Sequence, residues 1–282
     1  METPNNNLMT AYINKDTRLC ISLSARPGNF GTRFHNYLYR VLNLNFVYKA
    51  FTTHDLPAAI DGVRALGIRG CAVSMPFKEA CVEYLDELDA SARSLMSVNT
   101  IVNTDSWLKA FNTDYIAVHS LLRTYGVPTN LDFALRGSGG MAKAVACALR
   151  DTGFTRGVIV ARNDGAGPAI ANQYGFDWKP ELMDEKPGFL INATPIGMAA
   201  GAEMEQLAFT EEQVSASSFV FDVVALPPET PLIRMARSIG KKTISGAEVI
   251  VLQAVEQFAL YTGVRPEPDL IAEAATFARS SS

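Results

Sequence analysis

The sequence has little of what metal sites and disulfide-bonded folds are built from. Its 282 residues include three histidines and four cysteines, and no two cysteines form a CxxC pair. Metal knuckles and secreted disulfide frameworks place these residues at short, regular spacings, so both classes are excluded. We therefore predict buried free thiols and no bound metal.

Long apolar runs and clustered positive charge are also missing. No stretch approaches the ~20 apolar residues that a membrane span needs. The segment Met1–Thr10 is polar and rich in Asn, without the apolar core of a secretory signal. The formal net charge is −4 and the Lys and Arg residues are scattered, which excludes the basic surface that a nucleic acid requires. These features predict a cytoplasmic protein that binds neither membranes nor nucleic acids.

What the chain does have is the composition and the patterning of a folded α/β protein. With 48% hydrophobic and 19% charged residues, it can bury a substantial core, and its length favours two domains. Short apolar runs alternate with segments of helical period, the order that specifies parallel sheets flanked by helices. Strands are expected at 19–23, 46–51, 69–73, 132–135, 157–161, 189–192 and 219–223, with helices at 55–66, 140–150 and after 245.

A glycine-rich turn follows one of these strands directly. Residues 137–142 read GSGGMA, the form GxGxxA, and open an amphipathic helix. The first two glycines of such a turn let the backbone bend and approach a diphosphate at the helix N-terminus, and the small Ala142 lets helix and strand close together. A βα turn without a ligand is the alternative, and the flanking strand and helix favour the ligand. We predict a dinucleotide site formed by Gly137, Ser138, Gly139, Gly140, Met141 and Ala142.

The end of the next strand bears on which dinucleotide binds. Enzymes specific for NAD commonly present an acidic residue there to a ribose hydroxyl, whereas this chain has Ala161, Arg162 and Asn163. Arg162 favours a 2′-phosphate, so we expect NADP rather than NAD. Two points count against this choice: Asp164 is close by, and an arginine at a strand end is often only a solvated surface group.

A lysine stands where another helix is expected to begin. Pro76 suits the first helical position, which puts Lys78 in the first turn. A cation is disfavoured there because the helix dipole makes that end positive, and the same field favours the neutral amine that can accept a proton. The alternative is a surface lysine paired with Glu79 or Glu83. Asp114 lies at a further helix start, where it complements the dipole or pairs with Lys78.

Several separated segments together resemble the shikimate dehydrogenase family, and the match spans nearly the whole chain. The resemblance implies an NADP-dependent enzyme, a monomer or homodimer, that reversibly oxidises shikimate to 3-dehydroshikimate in aromatic amino acid biosynthesis, on the chorismate pathway. The segments are VSMPFKE at 73–79 against the family's VTVPxKE, SVNTI at 97–101 against AVNTI, NTD at 112–114, the glycine turn against GAGGA, and NATPIGM at 192–198 against NATPxGM.

The resemblance also assigns roles to individual residues. The catalytic pair falls on Lys78 and Asp114. Substrate contacts fall on Ser22, Ser24, Ser74, Asn99 and Gln253, with Ser22 and Ser24 holding the carboxylate and Asn99, Asp114 and Gln253 the ring hydroxyls. Cofactor contacts fall on the glycine turn, Arg162, Thr194, Met198 and Gly246. Residues 1–114 with 245–282 then form a mainly parallel α/β substrate domain, and 115–244 form a Rossmann-type NADP-binding domain.

Two segments depart from the family pattern. Ala25 replaces the usual proline after Ser24, and His35 lies eleven residues beyond Ser24 where the common pattern has four. Ala225 stands where a substrate-facing tyrosine is usual in the segment 222–227. These departures indicate the divergent, shikimate dehydrogenase-like branch, with slow turnover of shikimate.

They also leave other functions open. Within enzymes, the substrate is alternatively quinate, an aminated shikimate or another cyclic hydroxy acid. From a different class, the chain is alternatively a non-catalytic NADPH-binding sensor, although the presence of both Lys78 and Asp114 argues against that.

Overall fold

The computed structural model describes residues 13–280, which leaves the polar segment Met1–Thr10 outside the described part of the chain. The strands are β1 (Arg18–Leu23), β2 (Phe46–Phe51), β3 (Gly70–Val73), β4 (Glu87–Leu88), β5 (Thr100–Thr104), β6 (Trp107–Phe111), β7 (Phe133–Arg136), β8 (Gly157–Val160), β9 (Asp177–Lys179), β10 (Phe189–Asn192), β11 (Phe219–Asp222) and β12 (Lys242–Ser245). The helices are α1 (Phe30–Val41), α2 (Leu56–Ala65), α3 (Phe77–Ala80), α4 (Ala90–Arg93), α5 (Thr113–Thr124), α6 (Gly140–Thr152), α7 (Ala166–Tyr174), α8 (Glu211–Ala216), α9 (Pro231–Ser238), α10 (Gly246–Thr262) and α11 (Pro268–Arg279).

The chain divides into two compact units. The first contains the residues up to Asp89, a segment at 98–111 and the chain from Gln257 onward, and the second contains 90–97 and 112–256. Strands β1 to β6 form the sheet of the first unit, and strands β7 to β12 form the sheet of the second.

The sheet of the first unit has the strand order β2-β1-β3-β5-β6-β4. Strand β1 pairs in parallel with β2 and β3, as expected from the sequence, whereas β5 is antiparallel to both β3 and β6. Asp105 and Ser106 connect β5 to β6, and both have positive φ, at 51° and 68°. A two-residue connection of this kind matches the strand twist of a hairpin. The mainly parallel sheet therefore includes one antiparallel hairpin.

Aromatic rings fill much of the core of the first unit. His35 is fully buried, stacks on Tyr48 at 4.5 Å between ring centroids, and lies close to Tyr39 and Phe258. Burial lowers the pKa of His35 to about 3, so the ring is neutral near pH 7. The next residue, Asn36, accepts from Tyr48 N and donates to Tyr48 O, which ties α1 to β2. The pair His35 and Asn36 thus fixes the first helix and performs no acid–base work at neutral pH.

The sheet of the second unit is parallel throughout, with the order β12-β11-β10-β7-β8-β9. The chain moves outward from β7 through β8 to β9, then returns to the other side of β7 and moves outward again from β10. The neighbours β7 and β10 therefore form the point where the strand order reverses. In open parallel sheets, ligands bind beside the carboxyl ends of the strands at this point. Buried apolar side chains cover both faces of the sheet.

Each strand expected from the sequence is present to within two residues at either end, and so are the helices at 55–66 and 140–150. Asp55 caps α2, accepting from Ala58 N at 3.0 Å. All four cysteines are free and buried, which confirms the prediction of buried thiols. Within residues 13–280, no helix has the length and apolar character needed to cross a membrane, and no cluster of three or more His, Cys, Asp or Glu side chains is arranged for a metal ion.

Candidate active site

The glycine turn lies at the carboxyl end of β7, next to the segment that follows β10. Ala193 N donates to Arg136 O at 2.8 Å, which holds the two chain segments together. Gly137 has φ +127°, and a Cβ at this position would come within 2.8 Å of Ala193 O. L-residues rarely adopt that conformation, and the close carbonyl leaves no room for a side chain. The protein's own backbone therefore requires glycine at position 137.

Gly139 and Gly140 are exposed, and the protein itself gives no comparable reason for them. Gly139 caps α6 with φ −84°, which any residue can adopt, and a Cβ on either glycine would meet no protein atom within 4 Å. The open space lies in front of the N-terminus of α6, where the first backbone N–H groups lack helical partners. An anion bound there would approach the backbone more closely than a side chain permits. A dinucleotide diphosphate fits this position.

The remaining residues of the turn support its shape. Ala142 is fully buried, in accord with its predicted role of letting α6 lie close to β7. Met141 packs against the same apolar cluster from the first turn of α6. Ser138 is half-buried between Gly137 and Gly139.

A buried polar network holds the segment after β10. Asn192 ends β10 and Asp222 ends β11; both side chains are fully buried, and Asn192 Nδ2 donates to Asp222 Oδ1 at 3.0 Å. Thr230 Oγ1 donates to the other carboxylate oxygen of Asp222 at 2.6 Å. Thr194 donates to Asn192 Oδ1 through both its N–H, at 3.1 Å, and its hydroxyl, at 2.6 Å. The network therefore fixes the backbone around Thr194, a predicted cofactor contact.

Burial raises the pKa of Asp222 to about 6, although the hydrogen bonds from Thr230, Val224 and Asn192 act in the opposite direction. No role was predicted for Asn192 or Asp222 individually. A usable signal was present, because each is a polar residue that ends an otherwise apolar strand.

Gly246 lies beside the segment that follows β11. A Cβ at Gly246 would come within 2.3 Å of Val223 O, so only glycine fits at the start of α10. Glu248 accepts from Ser245 N at 2.9 Å and from its hydroxyl at 2.7 Å. Ser245 and Glu248 thus form half of a capping box: the glutamate accepts from the serine N–H, while the serine hydroxyl bonds the glutamate instead of a backbone N–H. Gln253, a predicted substrate contact, is half-buried further along the same helix.

Arg162 and Met198 are both exposed in the second unit. Arg162 follows the end of β8, and the Asn163 side chain accepts from Gly165 N and Ala166 N, at 3.0 and 2.8 Å. These bonds form a turn just before α7, whose N-cap is Gly165, and they fix the backbone next to Arg162. Met198 N donates to Pro195 O at 3.0 Å within the tight turn of the NATPIGM segment.

In the first unit, backbone hydrogen bonds bring the predicted substrate residues together at the carboxyl ends of β1 and β3. Ser74 N donates to Leu23 O at 2.9 Å. Leu23 lies between Ser22 and Ser24 in the sequence, so this bond brings Ser74 next to both serines. Val73 N, which precedes Ser74, donates to Asn99 O at 2.8 Å.

The same contacts reach Lys78. Val98 N, next to Asn99, donates to Lys78 O at 2.8 Å. The main chain of Lys78 therefore lies beside the segment SVNTI. Within the first unit, Ser22, Ser24, Ser74, Lys78 and Asn99 form one group.

The helix that carries Lys78 differs from the sequence expectation. Pro76 precedes the helix instead of starting it, and α3 spans only Phe77–Ala80. In a helix of one turn, Lys78 lies in the last turn as much as in the first. The helix therefore begins one residue later than expected and consists of a single turn.

Asp114 begins a true helix, as expected. It lies in the first turn of α5 and is 7% exposed, and the Asn112 side chain caps the helix by accepting from Tyr115 N at 3.0 Å. Asp114 and Gln253 belong to the second unit, whereas Lys78 belongs to the first.

An open groove of about 580 Å³ lies at the amino ends of the strands of the second sheet, opposite the carboxyl ends where the glycine turn lies. Its lining includes Asp132, Gly157 and Asp177, at or next to the amino ends of β7, β8 and β9. The glycine turn follows the carboxyl end of β7, so this groove is separate from the candidate cofactor site.

A parallel six-stranded sheet, with a glycine turn leading into a helix where the strand order reverses, defines a dinucleotide-binding protein of the Rossmann type. The family model for the shikimate dehydrogenase substrate binding domain matches residues 30–101. A shikimate dehydrogenase-like protein of Haemophilus influenzae is 57% identical, over 95% of this chain and 99% of that protein. A shikimate dehydrogenase (NADP(+)) of Pyrococcus abyssi is 33% identical, over 84% and 89% of the two chains.

Solved structures agree with these relatives. A shikimate 5-dehydrogenase-like protein with 57% identity gives a TM-score of 0.94, over 95% of this chain and 100% of that one. Shikimate 5-dehydrogenase from Thermus thermophilus, in complex with NADP(H) and shikimate, gives 0.82 at 27% identity, over 93% and 99%. The chain belongs to the shikimate dehydrogenase family, and its resemblance to the shikimate dehydrogenase-like branch is confirmed.

Proposed function

We propose that this chain is an NADP-dependent oxidoreductase that reversibly oxidises shikimate to 3-dehydroshikimate. One observation carries the proposal: Gly139 and Gly140 leave open space at the N-terminus of α6, although nothing in the protein itself requires glycine there. In a member of this family, a bound dinucleotide supplies the reason for both residues.

The cofactor supplies the hydride acceptor for the oxidation and the hydride donor for the reverse reaction. The glycine turn would hold the diphosphate through backbone N–H groups, and Arg162 would bind the 2′-phosphate. Thr194, Met198 and Gly246 would contact the nicotinamide half. The carboxyl edge of the second sheet offers a fixed backbone for this task, because the buried pair Asn192 and Asp222 holds the segment around Thr194.

The substrate is an acid with several hydroxyl groups, and its proposed contacts match that chemistry. Ser22 and Ser24 would donate to the carboxylate, with Ser74 next to them. Asn99, Asp114 and Gln253 would hold ring hydroxyls. These contacts orient the ring so that only one hydroxyl carbon can react.

Lys78 is the proposed proton acceptor. As the hydroxyl carbon loses a hydride, its oxygen loses a proton, and a neutral amine beside that oxygen can take it. In the reverse direction the ammonium returns the proton to the carbonyl oxygen as the hydride arrives. The group must therefore change its protonation state once in each turnover.

Steady-state assays with shikimate and quinate, each with NADP⁺ and with NAD⁺, test the proposal. We expect reduction of NADP⁺ with shikimate, and slower reduction of NAD⁺. Absence of turnover with each acid, combined with tight binding of NADPH, would refute the catalytic proposal and favour an NADPH-binding sensor.

A second candidate is a dehydrogenase for quinate, an aminated shikimate or another cyclic hydroxy acid. It is favoured by Ala225, which is half-buried and lacks the hydroxyl of the usual tyrosine, and by the longer segment between Ser24 and His35. The same assay distinguishes the two, because this candidate requires a higher kcat/KM for another acid than for shikimate. We place either enzyme in the cytoplasm, since four free buried cysteines suit a reducing compartment.

A further inference from the structure

Three charged side chains stand at the carboxyl ends of neighbouring strands in the second sheet. Arg136 is the last residue of β7 and directly precedes Gly137. Arg162 lies just beyond the end of β8, and Glu181 just beyond the end of β9. Strands β7, β8 and β9 are adjacent and parallel, so these side chains share the edge of the sheet that carries the glycine turn.

Arg136 and Glu181 form a two-point ion pair. Arg136 Nη1 donates to Glu181 Oε2 at 3.3 Å, and Nη2 donates to Oε1. The Arg136 side chain is only 17% exposed, and its guanidinium lies over the Phe209 ring at 5.3 Å from the centroid. Arg136 Nε is buried and has no hydrogen-bond partner among residues 13–280. Stacking on Phe209 fixes the Arg136 side chain, and Glu181 occupies only some of the N–H donors of Arg136.

Glu181 is the more exposed partner of the pair, with half of its side chain accessible to solvent. Its pKa is lowered, first by the hydrogen bonds from Arg136 and further by the charge of Arg162. The carboxyl group is therefore an anion at neutral pH, and it acts on both arginines. A phosphate approaching Arg162 meets this negative charge, and it also finds the fork of Arg136 already occupied.

We propose that Glu181 is a specificity-determining residue that weakens the binding of the NADP 2′-phosphate by neutralising Arg136 beside Arg162. This rests on the proposed function. NAD carries no 2′-phosphate, so Glu181 affects its binding little. Without the carboxylate, Arg136 offers a second guanidinium to the phosphate. Arg162 alone would favour NADP over NAD, and Glu181 reduces this difference in affinity.

The test is a fluorescence titration of NADPH and NADH against the wild-type protein and Glu181→Gln. Removing one nearby negative charge should tighten NADPH binding about fivefold, with NADH unchanged within about twofold. Arg136→Gln combined with Glu181→Gln should lose this gain. Glu185→Gln is the matched control, since Glu185 is similarly exposed and paired with Lys179, but it lines the groove at the amino ends of the strands. Its NADPH affinity should equal that of the wild type.

Equal NADPH affinity in wild type and Glu181→Gln would overturn the inference, and so would equal tightening for both cofactors. These results are distinct from failure of the proposed cofactor site, in which the wild-type protein binds neither NADPH nor NADH, and from failure of the proposed catalysis, in which NADPH binds but no acid is turned over. Thermal unfolding of each variant checks that folding is retained.

Discussion

Replacing two glycines of one turn by alanine should affect different properties: folding stability at Gly137 and NADPH binding at Gly139. At Gly137, φ +127° and the 2.8 Å approach of a Cβ to Ala193 O predict a loss of roughly 2–5 kcal/mol of folding stability. At Gly139, φ is −84° and a Cβ has open space, so Gly139→Ala should change stability by less than about 1 kcal/mol. Gly139→Ala should instead weaken NADPH binding at least about tenfold, or 1.4 kcal/mol, because the methyl group occupies the position of the diphosphate.

Denaturant unfolding and NADPH titration on the same samples separate the two effects. Gly62→Ala provides the control, because this glycine lies in α2 of the first unit and a Cβ there also meets no protein atom within 4 Å. It should gain about 0.5–1 kcal/mol of stability and leave NADPH affinity unchanged. If the Gly139→Ala protein bound NADPH as tightly as the wild type, the open space would not be the diphosphate site.

Three further predictions concern other parts of the protein. Lys78→Ala should lower kcat by about 10²–10⁴-fold with NADPH affinity unchanged. Lys78→Arg keeps the charge but cannot release a proton, so its kcat should fall by as much. Near-normal turnover in either variant contradicts the proton-transfer role. Burial raises the pKa of Asp222 from its ordinary value of 3.8 to about 6. The protonated carboxyl therefore adds about 3 kcal/mol to the free energy of unfolding below pH ~4, and this contribution is lost as the pH rises through 6. The stability difference between wild type and Asp222→Asn, followed by denaturant unfolding, should therefore grow in favour of the wild type as the pH falls from about 6 to 4, and a constant difference refutes this. Burial also raises the pKa of all four thiols, so a thiol reagent at mildly alkaline pH should modify the protein only after unfolding, whereas rapid modification of the native protein contradicts the buried placement.

The strands and the glycine turn could be predicted because their signals are local. Apolar runs and turn residues lie within a few positions of one another, and Gly137 to Ala142 carry both the bend and the small helix contact in one segment. Local patterning also located the helix start at Asp114. At Lys78 it located the helix start to within one residue, but the pattern of Pro76 and the following residues does not reveal that α3 ends after one turn.

Polar contacts between distant segments were beyond local patterns. Asn192 and Asp222 are 30 residues apart, and Arg136 and Glu181 are 45 apart. Each pair meets only because the strand order of the second sheet places the strand ends side by side. The register of a sheet depends on the packing of both faces, which no single segment specifies. Which of these residues pair with each other therefore emerges only from the structure.

Hydride transfer itself offers the most direct measurement. Shikimate carrying deuterium on the carbon of the reacting hydroxyl would be incubated with NADP⁺ and the wild-type protein, and the reduced cofactor examined by mass spectrometry. We predict one deuterium in each NADPH formed, together with 3-dehydroshikimate in equal amount. Oxidised product without deuterium in the cofactor, or a tightly bound cofactor that is never reduced by this or any related acid, would contradict the proposed function.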